Sequence, residues 1–232
     1  MKIITGNIFT TKCQTIVNTV NTIGIMGAGI ALEFKFRYPE MFEKYKLLCE
    51  SNSFTIGMLW LYKYSAERYI LNFPTKINWK YPTKEEYLIV GLEKFIQSYV
   101  EKGIESIAYP LLGASKGGLS QNRSLEIMGD YLETCEIPIE IYLYDPNAPD
   151  DLYQSFISKL KDYSIEDIIV QTKIKRNILS KLFEVVDQDD VKSISQLAHV
   201  KGIGLITLEK VFDFCVNKTG NSNQKQLDLG LF

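Results

Sequence analysis

The stretch Ile16 to Phe34, IVNTVNTIGIMGAGIALEF, constrains the chain more than any other. It reads as a buried strand (Ile16, Val17, Val20), a polar glycine-rich turn from Asn21 to Gly29, and an apolar helix opening at Gly29-Ile30-Ala31. Glycines in such a turn permit positive φ and close backbone approach, and the start of the helix offers unpaired N–H groups and a positive dipole end. A phosphate-bearing ligand suits that arrangement. Gly24, Gly27 and Gly29 give G-x-x-G-x-G, which is neither G-x-G-x-x-G nor a P-loop with its Lys and Ser/Thr. By itself the turn fits a plain structural strand-to-helix connection about as well.

A length of 232 residues accommodates one α/β domain and a small appendage, and 46% hydrophobic residues supply a core. No apolar run approaches the ~18 residues of a membrane span. The N-terminus MKIITGNIF enters strand-like sequence without a signal peptide, so a cytoplasmic location without a membrane partner is expected. Cys13, Cys49, Cys135 and Cys215 lie far apart and His199 is the only histidine. That argues against a zinc site or a His-dependent triad, and neither metal nor cofactor is expected. A net charge of −2 gives no support for indiscriminate nucleic-acid binding, so any contact with DNA must be local.

Along the chain, Lys2 to Thr5 reads as a strand closed by Gly6-Asn7-Ile8. The helix after the glycine turn carries Ile30, Leu32, Phe34, Met41, Phe42, Tyr45 and Leu48 on its apolar side, with an interruption near Pro39. Gly57–Tyr64 and Arg68–Phe73 form a predicted hairpin, and Pro74–Pro82 an irregular loop. Thr83-Lys84-Glu85-Glu86 has the spacing of a capping box for a helix through about Lys102, ended by Gly103. A strand from Glu105 to Leu112 enters a second glycine loop, Gly113 to Leu119. A helix over Asn122–Cys135 and a strand over Pro138–Tyr144 follow. Alternating strands and helices predict a three-layer α/β/α domain with a mostly parallel or mixed sheet, with both glycine loops at C-terminal strand ends. This domain is assigned residues 1–146. After the turn 145–151 comes a small all-helical segment, 151–217, then a flexible tail, 218–232.

Val17-Asn18-Thr19-Val20-Asn21 followed by Gly27-Ala28-Gly29-Ile30-Ala31, with Gly6-Asn7-Ile8 upstream and the second glycine loop downstream, resembles a macrodomain, the ADP-ribose-binding module. Asn-Thr-Val-Asn and Asn72-Phe73-Pro74-Thr75-Lys76 are similar to the DarG-type branch, antitoxins that remove ADP-ribose from DNA after a DarT toxin has attached it to thymidine. The resemblance implies that Asn7 and Ile8 contact adenine, Asn21 the distal ribose, and Gly27, Ala28, Gly29, Ile30 and Gly113 to Gly118 the pyrophosphate. Thr19, Val20, Thr75, Leu112, Ala114, Ser115, Lys116, Gly117 and Tyr144 complete the implied ADP-ribose surface. Lys76 is the implied catalytic residue, assisted by Asn21. Asn7 replaces the usual Asp, although its carbonyl still accepts a hydrogen bond from an adenine amino group. No carboxylate follows in the second loop. The implied partners are ADP-ribose, ADP-ribosylated DNA and a DarT-like toxin.

Lys76 would be a solvated loop lysine by default. On the functional reading, Lys80 and a partly desolvated pocket depress its pKa and make the amine a nucleophile or base. Trp79 and Tyr81 are either core aromatics or, with Lys80, a platform for an exposed base. Asn18 and Asn21 both suit capping of the turn, a role assigned to Asn18. In the C-terminal segment, Leu197 to Leu208 with Gly202 and Gly204 resembles a helix-hairpin-helix that contacts DNA phosphate, although residues 151–232 hold 11 Lys/Arg against 11 Asp/Glu. A purely structural hairpin is the competing reading. Gln226, Leu227, Leu229, Leu231 and Phe232 resemble the peptide with which bacterial replication proteins bind the sliding clamp; alternatively the tail folds back on the protein.

Overall fold

The computed structural model describes residues 1–186, 191–216 and 228–232. They form two compact units: Met1–Tyr144 together with the C-terminal strand, and a helical unit from Asp145.

The first unit contains β1 (Lys2–Gly6), β2 (Thr15–Asn21), α1 (Gly29–Arg37), α2 (Pro39–Glu50), β3 (Trp60–Lys63), β4 (Tyr69–Lys76), α3 (Glu85–Ser98), β5 (Ile107–Pro110), α4 (Gln121–Leu132), β6 (Ile139–Tyr144) and β7 (Asp228–Leu231). These strands make a mixed sheet in the order β1-β6-β5-β2-β4-β3-β7. The five strands from β1 to β4 in that order are parallel, while β3 runs antiparallel to β4 and β7 antiparallel to β3. Because side chains alternate along a strand, β2 sends Ile16 and Val20 to one face and Val17 to the other. Ile16 and Val20 join Phe34 of α1 and Met41 and Tyr45 of α2 in one core. Val17 joins Leu88, Leu92 and Phe95 of α3 and Ile127, Met128 and Leu132 of α4 in the second. The result is the three-layer arrangement expected.

Local boundaries differ from the sequence reading for identifiable reasons. The hairpin forms, but β4 runs on through Pro74-Thr75-Lys76, which the sequence assigned to a loop. A register shift between Val20 and Asn21 pairs Val20 with Pro74 and Asn21 with Lys76, so Thr75 is the extra residue of a bulge and the strand continues past the proline. The capping box does not form: Lys84 is the N-cap of α3 without a side-chain bond, and Thr83 is turned inward at 5% exposure. Helix α3 ends at Ser98, and hydrogen-bonded turns lead to Gly103 at φ +68°. Pro39 opens α2 at its first turn, where its missing N–H costs nothing.

The second unit holds α5 (Asp151–Asp162), α6 (Ile165–Thr172), α7 (Arg176–Val186) and α8 (Leu205–Val216), with a 3-10 turn at Ser195–His199. Buried Asp150 caps α5 through Leu152 and Tyr153 N–H and also accepts from Ile194 N–H. The Lys159 ammonium donates to the Phe214 carbonyl at the C-terminal end of α8.

Candidate ADP-ribose site

Five parallel strands bring their C-terminal ends to one edge of the sheet, where ligands of open α/β sheets bind. The β2–α1 turn is built on Asn21. Its Oδ1 accepts from the Ile23 and Ile25 N–H groups at 3.1 and 3.2 Å, and its Nδ2 donates to the Ile25 carbonyl at 2.5 Å. The Tyr45 hydroxyl, from α2, donates to the Asn21 carbonyl at 2.6 Å. Asn18 does not cap this turn. It is fully buried and its Nδ2 donates to Asn72 Oδ1 at 2.9 Å, because β2 and β4 set the two residues side by side. The turn ends in Gly29 at φ +57°, a backbone that favours glycine. Ala28, the N-cap of α1, makes no side-chain bond, so no cap competes for the first N–H groups of the helix.

At the β1 end, Asn7 Oδ1 accepts from Phe9 N–H at 3.0 Å and caps a 3-10 turn. Tyr144, at 73% exposure, ends β6 opposite Gly6. Ile8, Val20 and Leu112 have their side chains in the cores. Only their backbone can face a ligand. Thr75 is likewise buried, whereas Thr19 is half-buried.

The second glycine loop packs on the β4–α3 connection. Thr83 N–H donates to the Gly117 carbonyl at 2.8 Å, and a β-carbon on Gly117 would lie 2.8 Å from Thr83 Oγ1. A β-carbon on Gly113 would lie 2.8 Å from Leu119 and 3.0 Å from the Thr83 methyl. A side chain at either position would push on Thr83, and Gly113 also has φ +68°, which favours glycine. Ala114, Ser115, Lys116 and Gly118 form the outer part, with Ser115 at φ +54° and Gly118 at φ +87°.

Lys76 ends β4 beside Asn21, and its Nζ donates to the Lys116 carbonyl at 2.5 Å. Burial holds its amine below the ordinary lysine value of 10.5. Desolvation alone is the cause. Lys80, expected to help, instead stands over the Trp79 ring, 5.5 Å from its centroid. Trp79 and Tyr81 are not core residues: they are 53% and 66% exposed, next to Ile77 at 52%. Sequence reasoning missed Tyr45, which it placed on an apolar helix face, and Thr83, which it assigned to a cap.

In the helical unit, Gly202 (φ +94°) and Gly204 form a hairpin, and Gly204 accepts from the Thr207 and Leu208 N–H groups of α8. A 3-10 turn stands where a helix-hairpin-helix has its first helix. The Lys181 amine lies beside Gly202, while Leu205 and Ile206 are exposed. At the other end of the chain, Leu231 and Phe232 lie on the sheet unit rather than free. Gln226 and Leu227 lie outside the described residues, and Leu229 belongs to β7.

A family model described as Macro domain matches residues 17–128, which contain the first turn, Lys76 and the second glycine loop. A curated relative, a DNA ADP-ribosyl glycohydrolase of Thermus aquaticus, is 36% identical over 149 residues, 63% of this chain and 41% of the relative. The chain thus spans less than half the length of that relative. The solved macrodomain of Thermus aquaticus DarG matches with a TM-score of 0.57 at 36% identity, over 62% of this chain and 97% of that one. Thermosipho africanus DarTG in complex with ADP-ribose matches with a TM-score of 0.59 at 30% identity, over 62% of this chain and 42% of that one. Coverage of almost the whole of a solved macrodomain at this identity, on a mixed sheet with both glycine loops at one edge, means that the chain belongs to the macrodomain family.

Proposed function

We propose that the protein is a DNA ADP-ribosyl glycohydrolase that removes ADP-ribose from a base in DNA, thymidine being the first to test, and so reverses the work of a DarT-like toxin. Support comes from the relative of that name and from the DarTG structure that holds ADP-ribose. The observation that carries the reading is the pairing of Asn21 with a partly desolvated Lys76 between two glycine loops.

In this reading the diphosphate takes the first N–H groups of α1 and the backbone of the loop from Gly113 to Gly118. Adenine lies by Asn7, Ile8 and Tyr144, and the distal ribose by Asn21 and Lys76. Residues 21–29, 75–83 and 111–120 contain no Asp or Glu, so no carboxylate pair serves as acid and base there. The Lys76 amine attacks the ribose C1″ as the bond to the base breaks and the base takes up a proton. Water then cleaves the adduct, releasing ADP-ribose and the amine. Trp79, Tyr81 and Lys80 stand exposed next to this point and suit an unstacked base with its phosphate. The Gly202/Gly204 hairpin supplies a second, phosphate-directed DNA contact, and the C-terminal segment engages a sliding clamp. The protein acts in the cytoplasm; no helix among the described residues is long and apolar enough to cross a membrane.

The test is Lys76→Ala incubated with ADP-ribosylated DNA and, separately, ADP-ribosylated protein. It should keep ADP-ribose binding and lose nearly all release from DNA. Wild-type binding without turnover of either substrate would make the protein a reader, and release from protein alone would make it a carboxylate-ester hydrolase.

A further inference from the structure

Thr83 has a side chain that the loop as it stands does not use. It is 5% exposed, and its Oγ1 is buried without a hydrogen-bond partner. A buried hydroxyl in that condition costs free energy that a bond would recover. The atom lies against Gly117, within 2.8 Å of where a β-carbon would be. In the same loop, Ser115 sits at φ +54°, a left-handed conformation that is strained for a residue with a side chain. The adjoining carbonyl, that of Lys116, takes its hydrogen bond from Lys76. That bond favours the charged amine, whereas attack on C1″ needs the neutral one.

Ser115 and Lys116 lie in one turn, and Thr83 packs against it. Gly118 N–H donates to the Ser115 carbonyl at 3.2 Å, so the peptide between Lys116 and Gly117 is the central unit of a four-residue turn. Turning that unit over interconverts the two common turn types, provided the third residue accepts positive φ. Gly117 is that residue, and glycine accepts it without a steric penalty.

We propose that diphosphate binding turns over the Lys116–Gly117 peptide and that Thr83 is the positioning residue for the turned form. Gly117 N–H leaves the Ala114 carbonyl and points to the phosphate; the Lys116 carbonyl leaves the Lys76 ammonium and accepts from the Thr83 hydroxyl. The amine is released only when ADP-ribose is in place. No covalent bond changes in this step, and it rests on the ADP-ribose reading given above.

Thr83→Val deletes the hydroxyl at nearly constant volume, and Thr83→Ser keeps it. Without ligand, Thr83→Val should melt at or above the wild-type temperature, since it removes an unpaired buried group. Its ADP-ribose affinity, by calorimetry, should fall about tenfold, the loss of one hydrogen bond, and Thr83→Ser should restore it. The acid limb of kcat, which reports the bound state, should move to higher pH on ADP-ribosylated DNA in Thr83→Val, because the amine then stays paired with the carbonyl after substrate binds. A lowered melting temperature with unchanged affinity and pH profile would overturn the proposal and leave Thr83 a packing residue. Thr83→Ala, which adds no bulk, repeats the affinity measurement if Thr83→Val does not fold. Failure of the wild type to bind ADP-ribose would refute the functional reading itself rather than the role of Thr83 alone.

Discussion

Replacing Asn21 by Ala removes an acceptor for two loop N–H groups and a donor to the Ile25 carbonyl, all made by one side chain at 5% exposure. Buried groups left unpaired cost about 1–3 kcal/mol, so Asn21→Ala should show a clear drop in denaturant midpoint as well as in turnover. Lys76 should show the opposite sign. Burial lowers its folded pKa, so the charged form is disfavoured in the folded protein and stability is gained only as the pH rises through that value. Lys76→Met should therefore melt no lower than wild type at neutral pH while turnover is lost, as expected where function holds a strained charge. In the wild type, kcat/KM should rise with pH along a limb whose midpoint lies below 10.5. A pH-independent rate would exclude the neutral amine as nucleophile. Asn21 and Lys76 were singled out by the resemblance of their motifs, and the parallel pairing of β2 with β4 sets them side by side. Asn18 was not, because an Asn two residues before a turn looks like a cap until the parallel register places Asn72 beside it. Thr83 shares that failing: capping spacing is local, whereas the contact that turns it inward, with Gly117, spans 34 positions (117 − 83).

At the scale of elements, the loop from Ile77 to Pro82 is joined to the second glycine loop at Thr83, and just beyond it Arg123 of α4 holds the Glu85 carboxylate of α3 in two bonds at 2.9 and 2.7 Å. The exposed aromatics thus sit on a loop anchored at both ends, by β4 and by this joint. Because Trp79 and Tyr81 cover no core, Trp79→Ala and Tyr81→Ala should leave the melting temperature unchanged. Each should weaken binding of ADP-ribosylated single-stranded DNA by about 1–3 kcal/mol without altering affinity for free ADP-ribose. Equal loss for both ligands would place the aromatics in the ADP-ribose pocket instead. Helix α3 lies so close to the sheet that a β-carbon on Gly91 would come within 2.3 Å of the Phe73 ring. Gly91→Ala should accordingly destabilise despite alanine's better helix propensity, by about 1–3 kcal/mol of overpacking. The alternation of strands and helices was readable because hydrophobic period and glycine turns are local signals. The end of β4 was not, since proline reads as a strand breaker and the bulge that accommodates it depends on the neighbouring strand.

On the scale of the whole molecule, the C-terminal strand connects the polar tail to the macrodomain sheet. Leu59 and Phe232 exchange both backbone hydrogen bonds, at 2.7 and 2.8 Å, and Leu231 pairs with Trp60. Leu231, the last residue of β7, and Phe232 after it turn to opposite faces of the sheet. Leu231 packs on the core under α1 and α2, and Phe232 on the core under α3 and α4, with the Lys102 ammonium 4.9 Å from its ring. A sliding clamp that takes this segment as an extended peptide needs the same two side chains, so clamp and sheet edge cannot hold it together. A synthetic peptide of residues 226–232 should then bind a clamp more tightly than the full chain, by the factor that docking of β7 contributes. On that proposal, Leu231→Ala in the full chain should lose clamp binding together with some thermal stability, because the side chain that packs on the sheet is the one a clamp would take. Lys102→Ala weakens only the docked form, so it should raise clamp affinity while leaving ADP-ribose affinity unchanged. Equal affinity of peptide and full chain in fluorescence polarisation would show that the strand does not compete, and no binding by the peptide at tens of micromolar would remove the clamp as a partner.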